Sequence, residues 1–226
     1  MNYHITEGSD CPILTFSLNR GETVKIERGS MAYLFGIDLK GKVNSKGGIL
    51  GALGKSWVSG ESAFITQATA VEDEALLGVA PALPGQIAAL EVGLNQYCLN
   101  TGAFLACTGS VSYGIKKQKL SHAIFSRTGG LFVMKTTGSG TIFVNAFGTL
   151  QTIQVTPDRP LRIDNEHVVA WDAQLNYRLR IASGTIGFVT GEGIVDEFYG
   201  SGLVIIQTRN FRNFSSAIMQ YIKNNE

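Results

Sequence analysis

In the middle of the chain stands the stretch Ala103-Phe104-Leu105-Ala106-Cys107-Thr108-Gly109-Ser110-Val111-Ser112-Tyr113, and it has two relatives in the same sequence. One is Gly29-Ser30-Met31-Ala32-Tyr33-Leu34-Phe35-Gly36-Ile37-Asp38-Leu39. The other is His167-Val168-Val169-Ala170-Trp171-Asp172-Ala173-Gln174-Leu175-Asn176-Tyr177. The three align without gaps. Met31, Leu105 and Val169 correspond, and each is followed by Ala. Ile37, Val111 and Leu175 correspond, and Leu39, Tyr113 and Tyr177 follow two places on. Spacing by two is that of a strand with one buried face.

A second pattern follows each stretch. It begins at Gly60-Glu61-Ser62-Ala63-Phe64, at Gly129-Gly130-Leu131-Phe132-Val133 and at Gly191-Glu192-Gly193-Ile194-Val195. In the second and third places it runs on into Gly138-Ser139-Gly140-Thr141-Ile142 and Gly200-Ser201-Gly202-Leu203-Val204, glycine turns that read as hairpins. Met31 to Leu105 is 74 residues and Leu105 to Val169 is 64; Gly60 to Gly129 is 69 and Gly129 to Gly191 is 62. Two motifs recurring in one order point to internal duplication. One such sheet cannot cover its own apolar face, whereas three around a shared axis can. The expectation is a single all-β domain over residues 1–226, with pseudo-symmetric sheet repeats in the manner of a β-prism, divided at roughly 1–95, 96–160 and 161–226.

Two segments leave this pattern. Residues 41–60 form a glycine-rich connector in which Ile49, Leu50, Leu53 and Trp57 are apolar. Near the C-terminus, Phe214, Ile218, Tyr221 and Ile222 fall at helical spacing behind Asn213 as a cap, which predicts a short amphipathic helix docked on the sheet.

Composition limits what such a protein does. Of 226 residues, 44% are hydrophobic, enough for a real core. The 19 basic and 18 acidic residues give a net charge of +1, so no whole-molecule field for nucleic acid exists. Lys116, Lys117 and Lys119 cluster, with Arg127 nearby, and are the candidate contacts for an anion or RNA against the plainer reading of a solvated strand end. Three cysteines, at 11, 98 and 107, form no C-x-x-C pair, which favours a reducing compartment. The N-terminus has no basic and apolar signal pattern, and Pro81, Pro84 and Gly85 break the longest uncharged run, 75–90. A cytoplasmic location without a transmembrane segment is the expectation.

No catalytic, cofactor or metal constellation emerges. Gly54-Lys55-Ser56 resembles the end of a phosphate loop, but the glycine such a loop needs five places earlier is Ile49. His167 lies near Asp164, Glu166 and Asp172, yet Glu166 and His167 are adjacent and on a strand would point to opposite faces. Cys107 takes the place of Tyr33 and Trp171 and reads as a buried inert thiol. No G-x-S-x-G elbow occurs, and Phe125, Phe132, Phe143 and Phe147 read as core.

Three ordered stretches carry a family resemblance: Gly47-Gly48-Ile49-Leu50 through Phe64, Asp164-Asn165-Glu166-His167-Val168-Val169-Ala170-Trp171-Asp172, and Gly191-Glu192-Gly193-Ile194 through Asn210. They resemble the altered-inheritance-of-mitochondria family, number twenty-four in that series, over nearly the whole chain. The resemblance implies a β-fold like that of the tryptophan-RNA-binding attenuator. It implies no reaction, because fold and function separate readily. Fungal mitochondrial members are associated with inner-membrane organisation, but no mitochondrial presequence opens this chain. The expected function is a non-enzymatic scaffold or interaction protein forming homo-oligomers, with Ile49, Leu50, Leu53 and Trp57 as interface. Alternatives are a small-ligand or RNA-binding module and a peripheral membrane-organising protein whose connector or C-terminal helix touches the lipid surface.

Overall fold

A computed structural model of the chain describes residues 1–43, 64–100, 102–117, 132–181 and 194–224. In order, the strands are β1 (Asn2–Ile5), β2 (Leu14–Leu18), β3 (Thr23–Glu27), β4 (Met31–Phe35), β5 (Ile37–Val43), β6 (Phe64–Ala70), β7 (Ala75–Val79), β8 (Ile87–Val92), β9 (Tyr97–Asn100) and β10 (Phe104–Cys107). There follow β11 (Ser112–Lys117), β12 (Phe132–Thr137), β13 (Gly140–Asn145), β14 (Leu150–Val155), β15 (Leu161–Asp164), β16 (Val168–Asp172), β17 (Asn176–Ile181), β18 (Ile194–Tyr199) and β19 (Gly202–Gln207). A single 3-10 turn, Asn165–His167, precedes β16, and helix α1 (Phe211–Lys223) ends the described chain.

The all-β expectation with a short C-terminal helix holds. Period-two patterning is plain in β2, where Leu14, Phe16 and Leu18 are wholly buried and Thr15 and Ser17 between them are not. Burying one such side chain contributes roughly 1.5–3 kcal/mol. The strands form four sheets: β1-β2-β7-β4; β5-β6-β3-β10-β13-β8; β11-β12-β9-β16-β19-β14; and β15-β18-β17. The order of the third sheet is that of the second with six added to every strand number. All ladders between these strands are antiparallel.

The buried side chains fall into three clusters rather than one on a shared axis. The first joins Leu14, Phe16 and Leu77 of the first sheet to Val24, Ile26 and Ala68 of the second. Another joins Ile142 and Val144 of the second to Leu99 and Met134 of the third. The last joins Trp171 and Val204 of the third to Ile163 and Phe198 of the fourth. Each inner sheet is thus covered on both faces.

The glycine turns do not make hairpins. Gly138-Ser139-Gly140 leads from β12 in the third sheet to β13 in the second, and Gly200-Ser201-Gly202 leads from β18 in the fourth to β19 in the third. These turns carry the chain from one layer to the next. Gly138 sits at φ +88, where a Cβ would lie 2.4 Å from the Ser110 carbonyl oxygen. Only glycine reaches that conformation without strain.

The cap of helix α1 lies three residues before the expected one: Asn210, and not Asn213, accepts the capping bond, from the Asn213 N–H at 2.7 Å. Nor does the helix dock on a sheet with its apolar face. None of its residues is buried, and Phe214 meets Phe147 edge-on, centroids 5.2 Å apart.

Gly138→Ala should cost about 2 kcal/mol, from backbone strain and the clash with Ser110, whereas Gly8→Ala, with positive φ but open space around it, should cost about 1 kcal/mol. Urea unfolding of the two variants measures both. Equal losses would show that the close approach at Ser110 contributes nothing.

Candidate functional site

The residues that the sequence singled out as an interface, Ile49, Leu50, Leu53 and Trp57, lie outside the described residues, as do Lys119 and Arg127. Lys116 and Lys117 stand on β11, paired through the backbone with Val133 and Phe132. The described structure brings together different groups.

The outer face of the fourth sheet gathers charge. Arg162 on β15 and Arg178 on β17 are both register partners of Glu197 on β18. Arg162 Nε donates to Glu197 Oε1 at 2.8 Å, Arg178 Nε donates to Oε2, and Arg180 Nε lies 3.0 Å from Oε2. Beneath these half-exposed arginines the Glu197 side chain is only 5% exposed. Hydrogen bonds from Arg178 and Arg162 hold its carboxyl down at about 2. Arg178 also lies over the Tyr199 ring, 5.2 Å from its centroid.

The residue before it points the other way. Asp196 faces the interior at 1% exposure, its Oδ2 accepting from Asn165 Nδ2 at 2.8 Å and its Oδ1 without a partner. Burial pushes this carboxyl up to about 7, against the pull of the Asn165 bond. Asn165 is held in turn: its carbonyl accepts from Asn100 Nδ2 at 2.9 Å.

His167 joins the 3-10 turn to β19 and to the entry of α1. Its Nδ1 lies 2.7 Å from the Gln207 carbonyl oxygen and its Nε2 lies 3.4 Å from Asn210 Nδ2. Both ring nitrogens thus lie against groups of the surrounding frame, and the ring ties the turn to β19 and to the helix cap. Among the described residues no group of three His, Cys, Asp or Glu side chains is placed to hold a metal ion. Cys98 and Cys107 are buried, and burial raises the Cys107 thiol to about 11, which keeps it un-ionised.

A surface cleft of about 380 Å³ lies at the joint between the second and third sheets, lined by Asp10, Cys11, Gln86, Thr208 and Arg209 among others. Most of these polar groups are committed to framing. Thr208 Oγ1 accepts from the Thr149 N–H, Gln86 Oε1 accepts from the Leu150 N–H, and the Arg209 guanidinium lies over the Phe147 ring.

Two surfaces are apolar and open. The outer face of the first sheet exposes Tyr33 and Phe35 of β4 and Leu76 of β7, with Phe35 63% exposed. Phe35 and Leu76 are register partners, and the Tyr33 ring lies over Gly78, where a side chain would collide with it. Helix α1 is the other. Phe211, Phe214, Ile218, Met219, Tyr221 and Ile222 are all exposed, and its charged residues are Arg212 and Lys223.

Stability should fall as pH rises from about 4 to about 7. Asp196 binds its proton more tightly in the fold than in the unfolded chain, so its contribution is complete below pH 4 and lost through pH 7. Linkage sets that loss at roughly 4 kcal/mol at most. Asp196→Asn should remove this decline and raise the melting temperature at pH 8. A melting profile over pH 4–8 that is the same for both proteins would overturn the reading. The Glu197 contribution runs the other way: it is complete well above 4.5 and is lost as pH falls from there through about 2, mostly below this window.

Residues 3–209 match the family model described as mitochondrial biogenesis AIM24. An uncharacterised protein of Streptococcus pyogenes serotype M6 is 40% identical over 228 residues, spanning 98% of this chain and 91% of its own. A crystal structure of a Streptococcus pyogenes protein, also 40% identical, superposes with a TM-score of 0.83 and covers 97% of this chain and 99% of its own.

Proposed function

This chain belongs to the mitochondrial biogenesis AIM24 family, and within it we propose that the protein is a non-enzymatic interaction scaffold that associates with copies of itself. The observation that carries this reading is the open apolar face on the first sheet, Tyr33, Phe35 and Leu76. Monomeric proteins scatter exposed apolar side chains singly, and contiguous ones mark a surface that another molecule covers. Here they are contiguous: Tyr33 and Phe35 have ring centroids 6.3 Å apart, and Leu76 lies directly opposite Phe35. Beside the two rings, Thr15 Oγ1 and Tyr33 Oη share a hydrogen bond of 2.9 Å, which leaves the Tyr33 ring to offer apolar contact. On this reading the chain consists of three copies of a six-strand unit, β2–β7, β8–β13 and β14–β19, and acts in the cytoplasm as a building block.

Light scattering coupled to size exclusion tests this. The wild type should run as a discrete oligomer, and Phe35→Asp with Leu76→Asp should shift it at least tenfold toward the monomer while leaving the circular dichroism spectrum unchanged. A wild type that stays monomeric as concentration rises would sink the proposal.

A second reading, contact with a membrane surface, is favoured by α1. Its apolar residues Phe211, Phe214, Ile218, Met219 and Ile222 are exposed, and it carries two basic residues and no acidic one. Such a helix suits the interface of an anionic bilayer. No described helix is long and apolar enough to cross a membrane. The protein should co-float with vesicles containing phosphatidylglycerol, and Ile218→Ser with Ile222→Ser should abolish flotation without changing oligomer mass. Equal flotation of both proteins would exclude the helix as the contact.

A further inference from the structure

The first sheet ends in an edge whose counterparts elsewhere in the chain are paired. β10 lies between β13 and β3, and β16 between β19 and β9. All four residues of β10 are buried, as are the first four of β16. Among the described residues β4 pairs with β7 alone, and four of its five residues are exposed. The three strands otherwise sit alike on their common neighbours. Met31 and Tyr33 face Val79 and Gly78 across an irregularity; Phe104 and Ala106 face Val144 and Phe143, and Val168 and Ala170 face Ile206 and Ile205, each across the same irregularity. Tyr33 therefore holds the place of Ala106 and Ala170. That is one residue out of the gap-free sequence alignment, because the corner that follows is one residue shorter in the first unit.

The fourth sheet has the complementary deficit. Among the described residues β15 pairs only with β18. Ile163 faces Asp196 there as Ile26 faces Thr66 and Leu99 faces Met134, so β15 corresponds to β3 and β9. Those two strands are the ones that pair with β10 and β16. The described residues thus carry one unpaired edge of each kind, and the two do not pair with each other.

We infer that β4 of one copy pairs antiparallel with β15 of the next, in the register already used twice inside the chain. Ala106 faces Ile26, and Ala170 faces Leu99. Carried over, Tyr33 faces Ile163 of the next copy, Leu34 faces Arg162 and Phe35 faces Leu161. This rests on the self-association reading and specifies its surface. The side chains agree with the register. Phe35 joins the row Leu161, Phe198 and Tyr177, and Tyr33 comes beside Ile163, so the exposed rings extend the third core of the neighbour. Arg162, beside Leu34, has its Nε occupied by Glu197. Among the described residues nothing guards β4 against such pairing. It contains no lysine or proline, and its irregularity is one that β10 and β16 carry while fully paired. The contact is head-to-tail, so copies close into a ring or run on as a filament.

Oxidative cross-linking of full-length chains tests the register. In a Cys11→Ser background, Phe35→Cys protein is mixed with Leu161→Cys protein, and each is also oxidised alone. Both positions are at least partly exposed, and circular dichroism confirms folding. A disulfide dimer that forms only in the mixture is the expected result, with the wild type oligomeric by light scattering. An oligomeric wild type whose Phe35→Cys protein links to itself would overturn head-to-tail pairing and leave self-association standing. So would an oligomer that yields neither link. A wild type monomeric at all concentrations would overturn both.

Discussion

Two strand pairs hold the molecule together as one body: β10 with β3, and β16 with β9. Each joins pieces of sheet belonging to different stretches of chain into a six-stranded sheet covered on both faces. The pairing requires a strand that is buried on either side, and the sequence supplies it. Ala106 sits between Ile26 and Phe143, and Ala170 between Leu99 and Ile205, a small side chain flanked by large ones. A bulky residue there would crowd neighbours that are already close-packed. Tyr33, in the corresponding place on β4, has only Gly78 beside it and needs no such restraint.

The same economy of faces explains how two adjacent carboxylates take opposite states. Asp196 and Glu197 follow one another on β18, so the pleat sends one inward and the other outward. Inside, Asp196 has one amide partner and an apolar surround, and its proton stays on until about pH 7. Outside, Glu197 lies under three guanidiniums and stays ionised down to about pH 2. Neither arrangement needs a residue type unusual for a sheet. What differs is the layer each side chain meets.

Much of the strand content was legible. Period-two spacing in the three aligned stretches marked β4, β10 and β16. The helix was legible from Phe214, Ile218, Tyr221 and Ile222, although its cap is Asn210, since the capping side chain must reach the N–H three residues on. The glycine turns misled because glycine permits a positive φ without saying which strands it joins: Gly138 and Gly140 cross between layers instead of closing a hairpin. The arginine cover over Glu197 left no signal, since Arg162 and Arg178 are brought to it from two different strands, 35 and 19 residues away.

By itself the sequence determined the class of structure, the positions of most strands and the presence of an amphipathic terminal helix, because these depend on the alternation of apolar and polar residues over a few neighbours. Only the tertiary structure decided which strands pair, how the buried residues divide into three clusters, and which apolar residues remain uncovered. Phe35 and Phe143 are alike as residues, but one ends 63% exposed and the other wholly buried. The difference lies in what the chain places against each, which is set by contacts between segments far apart in sequence.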